Sequence, residues 1–599
     1  MLDVFRKVFS LLDAQEKRRF WVLTILMIFV ALVEVAGVSS VLVLLNVLAD
    51  PASVDTSRAL SWLRDFLGTE TAFSFQVALA VIVLVVVFGG LFIKALGTYA
   101  NLRYSFMRGS AISFRLLGSY LRQPYEWFLT RNSAEIGKNV LTEVDGMTNR
   151  VLSPLLRLTS NVILVIAMLC FLLVVDPTVT LLSALVLGGS YVLIYLRLRG
   201  LLQKAGQDMV AALGERYRLA QESTGGIKDV KLLGLEAGYT TQFAGASNRA
   251  ARALIRVGIM SELPRFVLEG ITFGALLGLV LVLLFRNDGN IAGIVPTLGI
   301  FAFSVMRLLP ALQQTYYALA SIRGAQASLE AIVADYAAAK DGHWAGPEPK
   351  GTSLPVKSAL ELKDVSFRYA SANRPALSNL DLTIPARTTV GLVGGTGAGK
   401  TTLVDLILGL LTQNSGELRV DGTLITEENR RDWQNSLGYV PQSIYLTDDT
   451  IAANIAFGVP KDKIDRAALE RAARAAALHD FVMNDLAEGY DTIVGERGIR
   501  LSGGQRQRIG IARALYRTPS LLIMDEATSA LDNITERVVM EAVQNIRADT
   551  TIILIAHRLT TVKDCDRIFL MEKGRIAAAG TYDELVTGNA TFRNMAVGG

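Results

Sequence analysis

The chain has 599 residues, more than a single hydrophobic core ordinarily organises, so two or more domains are expected. Apolar residues make up 51% and charged residues only 19%, with a mean hydropathy of +0.38; this excludes a disordered chain and fits a membrane-embedded part joined to a soluble one. A net charge of +5 is small for this length and no basic block stands out, so nucleic acid is not an expected partner. Two cysteines, Cys170 and Cys565, and three scattered histidines speak against a disulfide framework or a zinc cluster.

Residues 1–19 alternate cationic Arg6, Lys7, Lys17, Arg18 and Arg19 with apolar Val4, Phe5, Val8, Phe9, Leu11 and Leu12. This pattern predicts an amphipathic elbow helix on the membrane surface; the apolar run that follows is too long for the core of a cleaved signal peptide. Crossing a hydrocarbon layer of roughly 30 Å takes about 20 helical residues. Six stretches suffice, near 20–48, 72–95, 155–175, 177–197, 267–286 and 291–313, within a membrane domain taken as 20–341.

The connections after the second and fourth spans are long and basic, containing among others Arg103, Arg108, Arg115, Arg197, Arg199 and Lys204, whereas the other connections near Asp176–Pro177 and Arg286–Asn290 are short. Positive charge accumulates in cytoplasmic loops, so both termini are expected there. The same long connections read as helical, so spans 2 to 5 should run on as cytoplasmic rods that turn at Gln123–Ser133 and Glu222–Glu236.

Two features of the membrane half bear on a substrate. Between spans 1 and 2, Leu60, Leu63 and Leu67, with Trp62 and Phe66 alongside, form the apolar face of a short helix ending at Gly68; it either lies at the outer interface or packs on its own protein. Arg265 and Arg307 fall at or within spans 5 and 6, where a cation costs roughly 2.5–3.5 kcal/mol on insertion scales. Either they face a watery cavity and meet an anionic group, or they pair with Glu34 or Glu269.

Residues 342–357 form a Gly- and Pro-rich linker, and 358–599 alternate strand and helix patterns, the signature of an α/β fold with a parallel sheet. In that half, TTVGLVGGTGAGKTTLVDLILGLL (388–411) runs from apolar strand through glycine loop to helix. Gly394, Gly395, Gly397 and Gly399 let backbone N–H groups converge on phosphates at the positive end of the helix; Lys400 then meets the β and γ phosphates and Thr401 ligates Mg²⁺. Downstream, the buried strand LLIMDE ends in Asp525, suited to supporting Mg²⁺, and Glu526, suited to polarising an attacking water. In LSGGQ (Leu501–Gln505), Ser502 caps a helix whose exposed N–H groups make a second anion site.

These motifs, in this order, resemble the ATP-binding cassette superfamily over the whole chain. The resemblance implies a six-helix transmembrane exporter domain followed by an α/β P-loop nucleotide-binding domain, an ATPase using ATP and Mg²⁺ and sitting in the inner membrane. It implies an ATP site made of Gly394, Gly395, Thr396, Gly397, Ala398, Gly399, Lys400, Thr401 and Thr402, closed by Ser502, Gly503, Gly504 and Gln505 of a second copy. Tyr369 resembles the residue that stacks on adenine, Gln442 the switch glutamine and Mg²⁺ ligand, Asp532 the residue coupling the two sites, and His557 the γ-phosphate switch that serves beside catalytic Glu526. TIVGERG (492–498) is similar to the loop that touches the helical rods of exporters. One membrane domain and one ATPase in a chain imply a half-transporter working as a homodimer, with the two cytoplasmic turns as coupling helices.

Within the superfamily, GGIKDVKLLGLE (225–236) and FSVMRLLPALQQ most resemble the bacterial flippases of lipid-linked oligosaccharides. That resemblance implies that the external helix with Leu60, Trp62, Leu63, Phe66 and Leu67 meets a polyprenyl tail and that Arg265 and Arg307 meet the pyrophosphate. A multidrug, lipid or peptide exporter shares the same skeleton. A non-transport ABC ATPase acting on DNA or ribosomes is the more distant reading, opposed by the six spans.

Overall fold

The computed structural model describes the chain except residues 1, 132, 176, 287–294, 342–351, 371, 496–497, 527–535, 539, 542–547, 557–558 and 598–599. It divides into two compact units, one of residues 1–121 and 131–343, the other of 122–130 and 344–599.

Among the described residues of the first unit the regular elements are helices, with no strand. Helix α1 (Leu2–Ser10) buries Val4 and Val8, while Phe5 and Phe9 stack at 4.2 Å and pack edge-on against Phe20. The elbow ends nine residues earlier than expected, because Asp13 starts α2 (Ala14–Ala49): its N–H donates to Glu16 Oε2 at 2.9 Å, a capping arrangement that satisfies an otherwise orphan donor. Arg108 and Arg115 of α4 (Ala72–Leu121) hold the same Glu16 at 2.7 and 3.1 Å. Between α2 and α4 the chain forms helix α3 (Arg58–Leu67), closed by Gly68 in the left-handed conformation.

The rods expected from the sequence are continuous helices: α4 with 50 residues, α7 (Pro177–Gly225) with 49 and α9 (Glu236–Arg286) with 51. At 1.5 Å per residue each runs about 75 Å, more than twice a hydrocarbon layer. The third rod runs through two π-helical segments, Asn139–Glu143 and Thr148–Leu152, into α6 (Ser153–Val175). Among the described residues, four helices are long and apolar enough to cross a membrane: Ala14–Ala49, Ala72–Leu121, Glu135–Val175 and Ala184–Gly225. The fifth and sixth expected spans fall on α9 and α10 (Val295–Gly324), with the short connection between them outside the described residues. The two turns contain short helices, α5 (Tyr125–Leu129) and α8 (Ile227–Leu232). The sequence reading assigned 122–130 to the membrane domain, but these residues pack with the second unit, as α5 breaks away from α4 at Pro124.

The second unit holds two sheets. Strands β1 (Ala359–Phe367), β2 (Leu377–Pro385), β4 (Ser415–Val420) and β5 (Thr423–Leu424) form an antiparallel sheet of order β2-β1-β4-β5. The other has order β10-β9-β3-β8-β7-β6, built from β3 (Thr389–Val393), β6 (Leu437–Val440), β7 (Leu521–Asp525), β8 (Thr551–Ile555), β9 (Arg567–Glu572) and β10 (Arg575–Gly580). All its pairings are parallel except β9 with β10. Every residue of β3 and β8 is buried, and each strand is apolar after its first threonine, as a parallel sheet covered on both faces demands. In register, Leu392, Ile555 and Asp525 stand side by side, so the loops leaving β3, β8 and β7 emerge along one edge. Ligands of open α/β sheets bind at that carboxyl edge.

Candidate functional site

At this edge the chain leaves β3 through Gly394–Gly399 and enters helix α12 (Lys400–Ile407). Gly399 has φ 101°, and a Cβ there would sit 2.9 Å from the Ala376 carbonyl oxygen. A Cβ on Gly394 would come within 2.4 Å of the Met571 carbonyl oxygen, so only glycine lets the loop lie this close to the strand ends. Gly395, Thr396 and Gly397 are exposed at the loop crest, with Ala398 buried beneath. Lys400 reaches back over the loop, its Nζ donating to the Gly394 carbonyl at 2.6 Å and to Gly395 at 3.3 Å. Burial lowers its pKa, opposed by the nearby carboxylates of Glu526 and Asp525. Its charge is thus held ready at the head of α12, beside the exposed Thr401 and the buried Thr402.

Asp525 ends β7, and Glu526 follows with φ 48°, a left-handed turn that is costly for a residue with a Cβ. Its backbone N–H donates to Ile555 at 3.0 Å, while Gln507 Nε2 donates to its carbonyl at 3.2 Å. Gln442, on the loop after β6, donates from Nε2 to Glu526 Oε2 at 2.7 Å. The two acids and the switch glutamine named from sequence therefore meet around the glycine loop, with a carboxylate oriented by an amide. Sequence reasoning missed Gln507; its signal is a polar residue on the buried face of an otherwise apolar helix flank, two positions beyond LSGGQ.

Tyr369 is half-buried, packs edge-on against Phe367 at 4.9 Å, and places its hydroxyl 3.2 Å from Thr402 Oγ1. This sets its ring beside the first turn of α12. Ser502 caps helix α13 (Gly503–Tyr516): its Oγ accepts from Gln505 N–H at 3.2 Å and its own N–H donates to Gln505 Oε1 at 2.7 Å. The serine thus stands exposed at the positive end of a 14-residue helix, with Gly503 and Gly504 leaving the approach open. Asp532 and His557 lie outside the described residues, as do Glu496 and Arg497 of the TIVGERG loop.

Asp405 is buried on α12 and was not singled out from the sequence. Burial, with Asp525 nearby, pushes its carboxyl up to about 6. Its charge, after burial, helps raise the hydroxyl of Tyr125 on α5. Because the folded domain binds this proton more tightly than the unfolded chain, the ionisation penalty is absent below about pH 4 and complete above about pH 6. Asp405→Asn is therefore expected to gain stability over the native protein as pH rises from 4 to 7, by up to about 3 kcal/mol. Thermal unfolding against pH checks this; a constant difference across the range would contradict it.

In the first unit the residues expected to meet a substrate separate. Leu60, Leu63 and Leu67 pack inward against Val47, Val54, Phe75 and Leu79, whereas Trp62 and Phe66 are 65% and 74% exposed and stack at 5.4 Å. The five do not share one lipid-facing side: the leucines anchor α3 to its own protein and the two aromatics face out. Arg265 pairs with Glu269 at 2.9 Å one turn along α9, and Gln313 donates to the same carboxylate at 3.1 Å. Of the pairings considered, that with Glu269 is the one formed, and Glu34 pairs instead with Lys94 at 2.7 Å. Arg307 is half-buried on α10.

Comparison with known proteins agrees with this geometry. The family model for the ABC transporter transmembrane region matches residues 20–308, and that for the ABC transporter matches 377–529. The chain is 32% identical to the ATP-dependent lipid A-core flippase of Cupriavidus pinatubonensis, over 79% of this chain and 80% of that protein. It is 33% identical to the flippase of the same name from Cupriavidus metallidurans, over 79% of each. The solved structure of a bacterial Atm1-family ABC exporter with ATP bound shares the fold, with TM-score 0.78 at 24% identity over 98% of this chain and 99% of that one. The ATP-hydrolysing loop system and the helical membrane unit are thus parts of one machine, and the chain belongs to the ABC transporter family, with the exporter architecture and an ATPase that drives transport.

Proposed function

We propose that the chain works as a homodimer that uses ATP to flip a glycolipid with a phosphate-bearing headgroup across the inner membrane, both termini and the ATPase lying on the cytoplasmic side. The observation that carries this reading is the match, over four fifths of both lengths, to proteins named lipid A-core flippases. A polyprenyl-pyrophosphate-linked oligosaccharide is the form of substrate that the sequence resemblance favours, and an acylated lipid A-core type is the form the relatives' names favour. Both present a long apolar tail and an anionic, sugar-bearing head.

The chemistry of the ATP site supports the homodimer. Ser502 and the head of α13 form an anion site separate from the glycine loop, and an exporter chain with one of each completes both when two copies pair head to tail. Mg²⁺ fits the donor set of Thr401 hydroxyl, Gln442 amide and Asp525 carboxylate, all hard oxygen donors, and when bound would neutralise charge on the transferring phosphate. Glu526, oriented by Gln442, holds the attacking water. ATP binding favours the closed pair of domains and hydrolysis restores the open one, so the membrane cavity alternates by differential binding of two states.

In the membrane unit, Trp62 and Phe66 are the tail-contacting residues. Arg307, and Arg265 after exchanging Glu269 for a phosphate, are the headgroup ligands. Trp62→Ala with Phe66→Ala should lower flipping severalfold at unchanged thermal stability, since both side chains are exposed.

Proteoliposomes carrying fluorescent polyprenyl-pyrophosphate sugars in one preparation and a lipid A-core glycolipid in another test the function. ATP-dependent movement of either, lost in Glu526→Gln, is the expected result. Movement of neither, together with ATPase stimulation by apolar cations, would replace this reading with a multidrug exporter.

A further inference from the structure

A cavity of about 200 Å³ opens in the membrane unit between α2, α4, α6 and α10. Its walls combine apolar Met27, Val30 and Leu164 with the amides of Asn101, Asn161 and Gln314, and with the charged groups Glu34, Lys94 and Arg157. Glu34 is only 7% exposed. Lys94 satisfies one of its oxygens at 2.7 Å, but Oε2 is buried without a hydrogen-bond partner. A carboxylate within a membrane span is expensive to keep, and a buried acceptor left unmade costs further, so such a group marks a functional site.

We infer that this cavity is a headgroup subsite in which Glu34 Oε2 accepts a hydrogen bond from a donor on the transported lipid, either a sugar hydroxyl or an ammonium N–H. The acceptor is already negative, and the ammonium of Lys94 is engaged with it. At Glu34 the subsite therefore favours N–H or O–H, while Arg157 in the wall leaves the cavity as a whole open to an anionic group beside it. The apolar wall residues suit the carbon face of a sugar ring or of a short amino-alcohol, and the amides suit its edge. Glu34 thus acts as a specificity residue, separate from the headgroup arginines named above. This inference rests on the lipid-flippase reading.

The test is stimulation of ATP hydrolysis by the full-length protein in nanodiscs, using short-chain lipids that differ only in the head: glucosyl, ethanolamine and choline. The choline head keeps the charge of ethanolamine but has no N–H to donate. The native protein should respond to the glucosyl or the ethanolamine head at about tenfold lower concentration than to choline, the worth of one hydrogen bond to a charged group. A glucosyl response assigns the donor to a sugar hydroxyl; an ethanolamine response assigns it to an ammonium.

Glu34→Gln should erase the preference and Glu34→Asp should keep part of it. Equal responses to all three heads in the native protein, or an unchanged preference in Glu34→Gln, would overturn the subsite while leaving the flippase reading in place. No response to any lipid would remove the flippase reading and this inference with it. Should Glu34→Gln fail to fold, the headgroup preference of the native protein decides alone.

Discussion

Glu526→Gln is expected to cut steady-state ATP hydrolysis by roughly 10²–10⁴-fold, the range for removing a positioned general base. The backbone turn at φ 48° and the bond from Gln507 to the Glu526 carbonyl do not depend on the carboxylate, so the position of the side chain survives the change. The amide oxygen of the new glutamine can still accept from Gln442, at the place of the present 2.7 Å contact. Charge is lost and geometry kept, so ATP binding should persist while phosphate release slows by the same factor. Phosphate-release kinetics beside nucleotide-binding measurements separate the two. Hydrolysis remaining within about tenfold of the native rate would assign the base elsewhere.

Trp433→Ala should produce the largest loss of stability, about 3–5 kcal/mol, because a fully buried indole is replaced by a methyl group in a core that can only partly collapse. Trp433 also donates from Nε1 to the Ile407 carbonyl at 2.7 Å, capping the last residue of α12. Its removal therefore loosens the far end of the helix whose head presents the phosphate loop. ATP affinity is expected to fall along with stability. Trp433→Phe should recover most of the packing but not the hydrogen bond, costing about 1–2 kcal/mol through the unsatisfied carbonyl. Denaturant unfolding of the two variants, paired with ATP titration, measures both effects; equal stability of Trp433→Ala and the native protein would contradict the first.

The contrast between the ATP site and the membrane site reflects how each is encoded. A phosphate loop must be contiguous, since converging N–H groups come from successive residues, and a helix cap is a matter of neighbours three residues apart. Gly394–Thr402, the acids at the end of β7 and the Ser502 cap were therefore readable from the sequence, as were the long rods, whose apolar and mixed helical patterns continue with few breakers. Even there, the contacts of Gln442 and Gln507 with Glu526 join segments that only the strand order β3-β8-β7-β6 brings together.

In the membrane half, helical periodicity marked α3 but not which side faces its protein. Packing against Val47 and Phe75 turned the leucines inward and left the aromatics out. Charges in the spans were visible as isolated costs, while their partners depended on the registration of separate helices. Arg265 met Glu269 within its own helix, but Gln313 of α10 joined that carboxylate from a separate helix, and Glu34 met Lys94 across the antiparallel pair of α2 and α4. The sequence by itself determined the engine, because its chemistry is written in short runs of adjacent residues. Only the tertiary structure decided which charges of the membrane unit are neutralised and which acceptor remains open, because those outcomes arise where distant helices come into contact.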